Sequence, residues 1–255
     1  IPIEFIEDRH LVVSPFLEGV NLEQHLSESG PFSIAETLVY LSPIAAVLDH
    51  MHFYDVVNRD IKLSNVMLTP QGVRLVDLDL AVHQDVLNSS RAIEDHSFVG
   101  TPQFMAPEAA RGNEIDYRVD LYALGGVTYQ CLTGEVPFSA QSAAASLFQQ
   151  IKGRIPDITN SMEYAPSGLR SFFYTALAKN REKRFQSGAS FMDTLAQFED
   201  PLLLLKKPRL LYNRLMLIFG DIAQDLTVSQ GLSYGQFGLP VKQDYLDLIN
   251  GKASF

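Results

Sequence analysis

The sequence predicts a mostly α-helical domain with short β-hairpins, and three observations predict it. Ile34, Leu38, Leu41, Ala45, Leu48 and His52 recur at steps of three and four, the spacing that lines one face of a long helix. Residues 120–132, starting Asp-Leu-Tyr-Ala-Leu, are apolar nearly all round, the pattern of a helix buried at the centre of a domain. Short apolar runs flank Glu7-Asp8-Arg9 and Thr69-Pro70-Gln71-Gly72, the pattern of hairpins rather than of a large sheet.

The elements follow in order. Residues 3–7 and 10–17 read as the strands of the first hairpin, and Pro15, without an N–H, ends the pairing of the second. Gly19 breaks the chain, and Asn21 caps a short helix over 22–27. Ser33 with Glu36 three residues later is a capping box, and it starts the long helix. Pro43 lies inside that helix and is expected to interrupt or kink it. Residues 81–98 are polar (His83, Gln84, Asp85, Asn88, Ser89, Ser90, Arg91 among them) and read as a surface loop. Thr133-Gly134 stops the central helix, and the chain to Glu199 reads as helices with polar links.

At 255 residues the chain is large enough for one sizeable domain, or one domain with an appendage. A formal net charge of −10 argues against nucleic acid or an anionic membrane as the main partner. The one cysteine, Cys131, excludes an intrachain disulfide and a cysteine-based zinc site. It falls in the buried helix and reads as a small core residue. No signal peptide is legible at the start, and the expected location is cytoplasmic. The charge changes sign along the chain. Residues 201–255 carry six Lys/Arg against four acids, a net of +2, which leaves −12 for residues 1–200. The change falls at Pro201 and marks a boundary.

The chemistry concentrates in Asn58-Arg59-Asp60-Ile61-Lys62-Leu63-Ser64-Asn65. A carboxylate, an ammonium and a carboxamide share this short loop. A second acidic centre, Leu75-Val76-Asp77-Leu78-Asp79, follows the next turn. Two acid-bearing loops around a hairpin suit a site that holds metal and phosphate.

Taken together, R-D-x-x-x-x-N, D-L-x, G-T-P-x-F-M-A-P-E (100–108), the Asp-led central helix and a late Arg184 resemble the C-terminal lobe of a eukaryotic-type Ser/Thr protein kinase. The resemblance covers residues 1 to about 199 in the family's order. It implies residues 1–18 as the last N-lobe strands and hinge, 19–199 as the C-lobe, and 200–255 as a C-terminal extension. The implied activity is transfer of the ATP γ-phosphate to Ser/Thr hydroxyls of a protein substrate, with ATP and two Mg²⁺ ions as cofactors.

By that resemblance Asp60 receives or orients the acceptor hydroxyl, and Lys62 neutralises the γ-phosphate. Asn65 and Asp77 hold the metal ions, and Thr101 bridges Asp60 and Lys62. Glu108 and Arg184 form a buried ion pair anchoring the activation segment, and Asp120 braces the catalytic-loop backbone. Ser14 falls at the gatekeeper position, Pro15 and the Leu17 backbone face adenine, and Met67 forms the floor beneath it. Arg59 is placed to pair with a phosphate on Ser89, Ser90 or Ser97 of the activation loop.

Three departures accompany the resemblance. No Gly-rich loop and no V-A-I-K lysine occur in these residues, so this chain by itself is expected to be poorly active, with the N-lobe supplied by a longer parent chain. Asn58 stands where the family has His and is expected to hold Leu78 less firmly in an apolar stack. Asp79 stands where the family has Gly; if φ there is positive, the strain costs about 1–2 kcal/mol. A second carboxylate about 6 Å from Asp77 interacts at about 3 kcal/mol for an effective dielectric near 20, repulsive without metal and attractive to it when bound.

Two other functional readings stay open. One is a pseudokinase, a binding or regulatory scaffold in which Asn58 and Asp79 reflect relaxed catalysis. The other is a small-molecule phosphotransferase, which the 100–108 segment disfavours because in the resemblance it builds a peptide platform. In the extension, Leu211, Leu215, Ile218, Phe219, Ile222 and Leu226 fall on one helical face. Lys206, Lys207, Arg209 and Arg214 leave no uninterrupted run long enough to span a bilayer. That helix is expected to pack on the lobe or lead to a further domain, with a membrane-surface helix as the other reading.

Overall fold

Capping and apolar spacing set the helices, and the helices set the fold. In the computed structural model, residues 3–6, 9–12, 15–87, 100–162 and 165–199 are described. Strands β1 (Ile3–Ile6) and β2 (Arg9–Val12) pair antiparallel in register Ile3↔Val12. The second strand is therefore shorter than the sequence implies. Residues 15–18 carry no strand, in line with Pro15, which has no N–H to give a ladder.

Strand β3 (Val20–Asn21) leads into α1 (Leu22–Ser29), and Asn21 closes a capping box with Gln24. The same device starts α2 (Ile34–Phe53), where the Ser33 hydroxyl accepts from the Glu36 N–H. The helix runs through Pro43 without interruption, contrary to the expected break. Leu38, Leu41, Ile44 and Leu48 are all buried on both sides of the proline, and this burial outweighs one missing backbone donor.

Strands β4 (Val56–Val57) and β7 (Val82–His83) pair across the site loop, while β5 (Val66–Thr69) lies between β3 and β6 (Gly72–Leu75). The polar stretch after Ala81 is more ordered than expected at its start: it forms β7 and the short α3 (Gln84–Leu87). Ser14, Ser89, Ser90, Ser97 and the 200–255 extension lie outside the described residues.

The C-terminal half is helical: α4 (Pro107–Ala110), α5 (Arg118–Thr133), α6 (Ala143–Lys152), α7 (Leu169–Ala176) and α8 (Gly188–Ala196). Helix α5 is the buried centre, with Leu121, Tyr122, Leu124, Val127 and Cys131 each at most 1% exposed. Burial pushes the Cys131 thiol pKa up, which keeps it an inert core group. Gly134, in the left-handed region at φ 79°, ends the helix and donates to the Gln130 carbonyl. Phe172 meets Phe173, Phe185 and Phe191 at ring-centroid distances of 4.9–5.2 Å, closing the core between α7 and α8.

Helix α8 docks on α2 through its N-terminus. The Asp49 carboxylate accepts from the N–H groups of Gly188 (2.6 Å) and Ala189 (2.8 Å), so an acid meets the positive end of a helix. The approach is close enough that a Cβ on Gly188 would lie 2.5 Å from the Ala45 carbonyl oxygen. Gly188→Ala is expected to destabilise the protein by about 1–3 kcal/mol, read as a shift of the urea midpoint with unchanged slope.

Candidate functional site

The site loop leaves β4 at buried Val57 and is held from beneath by α5. The Asp120 carboxylate, 1% exposed, accepts from the N–H of Asn58 (2.9 Å) and of Arg59 (2.8 Å). His52 Nε2, on the last turn of α2, donates to the same carboxylate at 2.8 Å. His52 therefore does more than fill a position on the apolar face. Its partner lies 68 residues away, so helical periodicity gave no sign of the bond.

With its N–H pinned, Arg59 adopts a left-handed backbone at φ 70°. Its Nε donates to the Leu80 carbonyl at 2.7 Å, tying the site loop to the second acidic loop. Burial lowers the Arg59 pKa, and Asp120 offsets part of that shift. The guanidinium Nη groups make no hydrogen bond among the described residues.

Asn58 has a second role. Its Oδ1 accepts the Asp60 N–H at 3.1 Å, a local turn that fixes the backbone of the acid. Asn58 is 1% exposed, whereas Leu78 is 47% exposed, in line with the expected weak hold of Asn58 on Leu78. The polar carboxamide turns to the loop backbone, where it has a donor to satisfy.

Three side chains donate to Asp60, itself 6% exposed. Thr101 Oγ1 donates to Asp60 Oδ1 at 2.6 Å. Lys62 Nζ donates to Oδ2 at 2.5 Å, and Asn65 Nδ2 to Oδ2 at 3.2 Å and to the Asp60 carbonyl at 3.1 Å. Thr101 and Lys62 are thus linked through the two oxygens of one carboxylate, not by a direct bond. Gly100 permits this approach: at φ 114°, a Cβ there would lie 2.7 Å from the Arg59 carbonyl oxygen.

Of the roughly four lone-pair positions of the Asp60 carboxylate, three are taken, and one on Oδ1 remains for an incoming hydroxyl. The Asn65 Oδ1 and the Asp77 carboxylate accept no hydrogen bond among the described residues. The two loops are joined by the Val76 N–H donating to the Asn65 carbonyl at 2.9 Å, which sets Asp77 next in line. Both free groups are oxygen donors, the set that hard divalent cations such as Mg²⁺ prefer. The positive φ falls at Asp77 (61°), not at Asp79, so the strain expected of an Asp in place of Gly does not arise there. Asp tolerates the left-handed region better than most residues.

The remaining sequence candidates lie around this centre. Leu17, between exposed Pro15 and Glu18, uses neither its N–H nor its carbonyl in hydrogen bonding among the described residues. Met67 sits on β5 opposite Asn21 and Arg74.

Arg184 and Glu108 form a bidentate pair with both N···O distances at 2.7 Å. Arg184 also donates to the Ala178 carbonyl at 2.8 Å, and its guanidinium lies 4.7 Å from the Tyr122 ring. Lys179, beside this pair, sits 3.9 Å over the Phe138 ring. Burial first, then the charges of Arg184 and Arg111, lower its pKa to about 8.

Two outcomes follow from this buried layer. Arg184→Ala leaves Glu108 without its partner and is expected to cost about 3 kcal/mol or more in chemical denaturation. For Lys179, the unfolded chain binds more protons than the folded one between pH 8 and 10.5, so stability rises across that window. Urea unfolding across the window is expected to show this gain in wild type and to lose it in Lys179→Met.

The protein kinase domain family matches residues 4–196. The chain is 27% identical to a probable serine/threonine-protein kinase PknB of Lactococcus lactis subsp. lactis (strain IL1403), over 74% of this chain and 30% of that protein. It is 27% identical to the serine/threonine-protein kinase PrkC of Bacillus subtilis (strain 168), over 71% and 28%. It is 28% identical to the serine/threonine-protein kinase PknB of Mycobacterium tuberculosis (strain ATCC 25618 / H37Rv), over 73% and 30%. The chain thus spans about 30% of the length of these relatives. Among the described residues, no helix is long and apolar enough to cross a membrane. With a family match over most of its length, the chain belongs to the protein kinase family.

Proposed function

We propose that the chain supplies the phosphoryl-transfer site of a Ser/Thr protein kinase, moving the γ-phosphate of ATP to a Ser or Thr hydroxyl of a protein substrate. The observation that carries this reading is the convergence of Thr101, Lys62 and Asn65 on the Asp60 carboxylate with one lone pair left over. The relatives, each named a serine/threonine-protein kinase, support the substrate class.

In this reading Asp60 orients the acceptor hydroxyl through its remaining Oδ1 lone pair. Paired with Lys62, the carboxylate acts mainly by positioning, which suits a loose transition state that asks for little proton removal. Lys62 stands 2.5 Å from Asp60 Oδ2, close enough to face both the acid and a phosphate oxygen. Asn65 Oδ1 and the Asp77 carboxylate would hold Mg²⁺, which when bound with the nucleotide neutralises phosphate charge. The N–H and carbonyl of Leu17, without hydrogen bonds among the described residues, would meet the adenine edge, with Pro15 and Met67 lining it. The Arg59 guanidinium, partly unpartnered, would receive a phosphate from the activation loop.

The scaffold reading rests on Asn58 and Asp79. Against it, Asn58 holds the Asp60 backbone, and the Asp79 backbone stays out of the left-handed region. The test uses the full-length protein, because residues 1–255 contain neither a G-x-G-x-x-G loop nor a V-A-I-K motif. With Mg-ATP and a generic protein substrate, wild type is expected to incorporate phosphate on Ser or Thr. Asp60→Asn and Asp77→Ala are each expected to lower the rate by about a hundredfold or more. Equal incorporation by wild type and both variants, or none by folded wild type, would sink the proposal.

A further inference from the structure

Gln150 is a fully buried polar residue on α6 that no motif singles out. Its carboxamide is used at both ends. Nε2 donates to the carbonyl oxygens of Pro102 (3.3 Å) and of Gln103. Oε1 accepts from the Tyr122 hydroxyl at 2.6 Å. Burial pushes the Tyr122 pKa up, so the hydroxyl keeps its proton and stays the donor. Helix α6 is itself tied down here, because the Gln150 carbonyl accepts from Lys179 Nζ at 2.7 Å.

Pro102 and Gln103 are the central residues of a turn that the Phe104 N–H closes on the Thr101 carbonyl at 3.0 Å. A turn of this kind uses the carbonyl of its first residue and leaves those of its central residues to find partners elsewhere. One amide group of Gln150 serves both. The first residue of the same turn, Thr101, reaches Asp60 Oδ1 through its side chain. Few side chains offer two donors and one acceptor on a planar head at this reach. Glu has no donor when ionised, and Leu has neither.

We infer that Gln150 is a positioning residue of the peptide platform: by holding the 102 and 103 carbonyls it sets where Thr101 meets Asp60 and where an acceptor segment lies. The inference rests on the kinase reading of the site. It differs from simple core packing in what it moves. Loss of packing lowers stability, whereas loss of positioning changes peptide KM and kcat in molecules that remain folded.

The test compares Gln150→Leu, Gln150→Glu and Tyr122→Phe in the full-length protein, with peptide and Mg-ATP varied separately. Leu and Glu are expected to raise peptide KM and lower kcat, about tenfold each, because misplacing a reacting group by a fraction of an ångström is costly. The KM for ATP is expected to stay near the wild-type value. Tyr122→Phe keeps both Nε2 donors in place and is expected to do much less. Amide hydrogen exchange gives a second readout that needs no activity: Phe104 exchange quickens in the Gln150 variants while Tyr129 in α5 is unchanged. The milder Gln150→Asn serves if the other two variants do not fold. Wild-type kcat and peptide KM in Gln150→Leu would overturn the inference, as would an equally large loss in Tyr122→Phe. If folded wild type transfers no phosphate, the kinase reading fails, and the exchange result alone decides the hold on the turn: faster Phe104 exchange supports it, unchanged exchange overturns it.

Discussion

A single buried carboxylate organises this site. Asp120 takes three hydrogen bonds, from the N–H of Asn58, the N–H of Arg59 and the ring of His52. Hydrogen bonds to a charged group are worth about 1.5–3 kcal/mol each when net of solvation, and a buried carboxylate without them would be costly. The bonds therefore specify the loop as much as they hold it. Moving Asn58 or Arg59 off Asp120 would strand a charge, so the backbone accepts a left-handed Arg59 instead. Everything above, Asp60 included, inherits its position from that exchange.

From this anchor the structure builds outward in layers. Asn58 passes the constraint to Asp60 through its side chain, and Arg59 passes it to the second acidic loop through Leu80. Thr101 brings in the segment after Gly100, which is tied independently to the helical lobe by Glu108–Arg184. Helices α5 and α6 thus reach the same few atoms by separate routes, one through Asp120 and the other through Gln150. Two such routes give a site in which the Asn65 Oδ1 and the Asp77 carboxylate are left without hydrogen bonds among the described residues while the groups around them are committed. That division is what phosphoryl transfer asks of a protein, since positioning and charge carry most of the catalysis.

Much of the fold was legible from local pattern. Asn21 and Ser33 announced their helices, because a capping box spans only four residues and depends on nothing distant. The buried α5 was legible from its all-round apolar character, and the polar loop 58–65 from its residue types and spacing. The reading failed where a local rule met a tertiary constraint. Pro43 should interrupt a helix, yet α2 continues because the residues around it are buried. The Asn58 bond to the Asp60 N–H was not legible either, because a side chain's choice of a backbone partner depends on the folded loop.

By itself the sequence determined the helices, their caps, the order of the motifs and hence the protein kinase family. Those properties reside in residue type and short spacing, which survive without neighbours. Only the tertiary structure decided which groups are committed and which are free. His52 meets Asp120 across 68 residues, Gln150 meets the 102–103 turn across nearly 50, and neither partner is implied by the residues beside it. The left-handed backbone falls at Asp77 instead of Asp79 for the same reason. A backbone angle is set by the bonds that hold both sides of it, and here those bonds come from Asn65 and Arg59 on another loop.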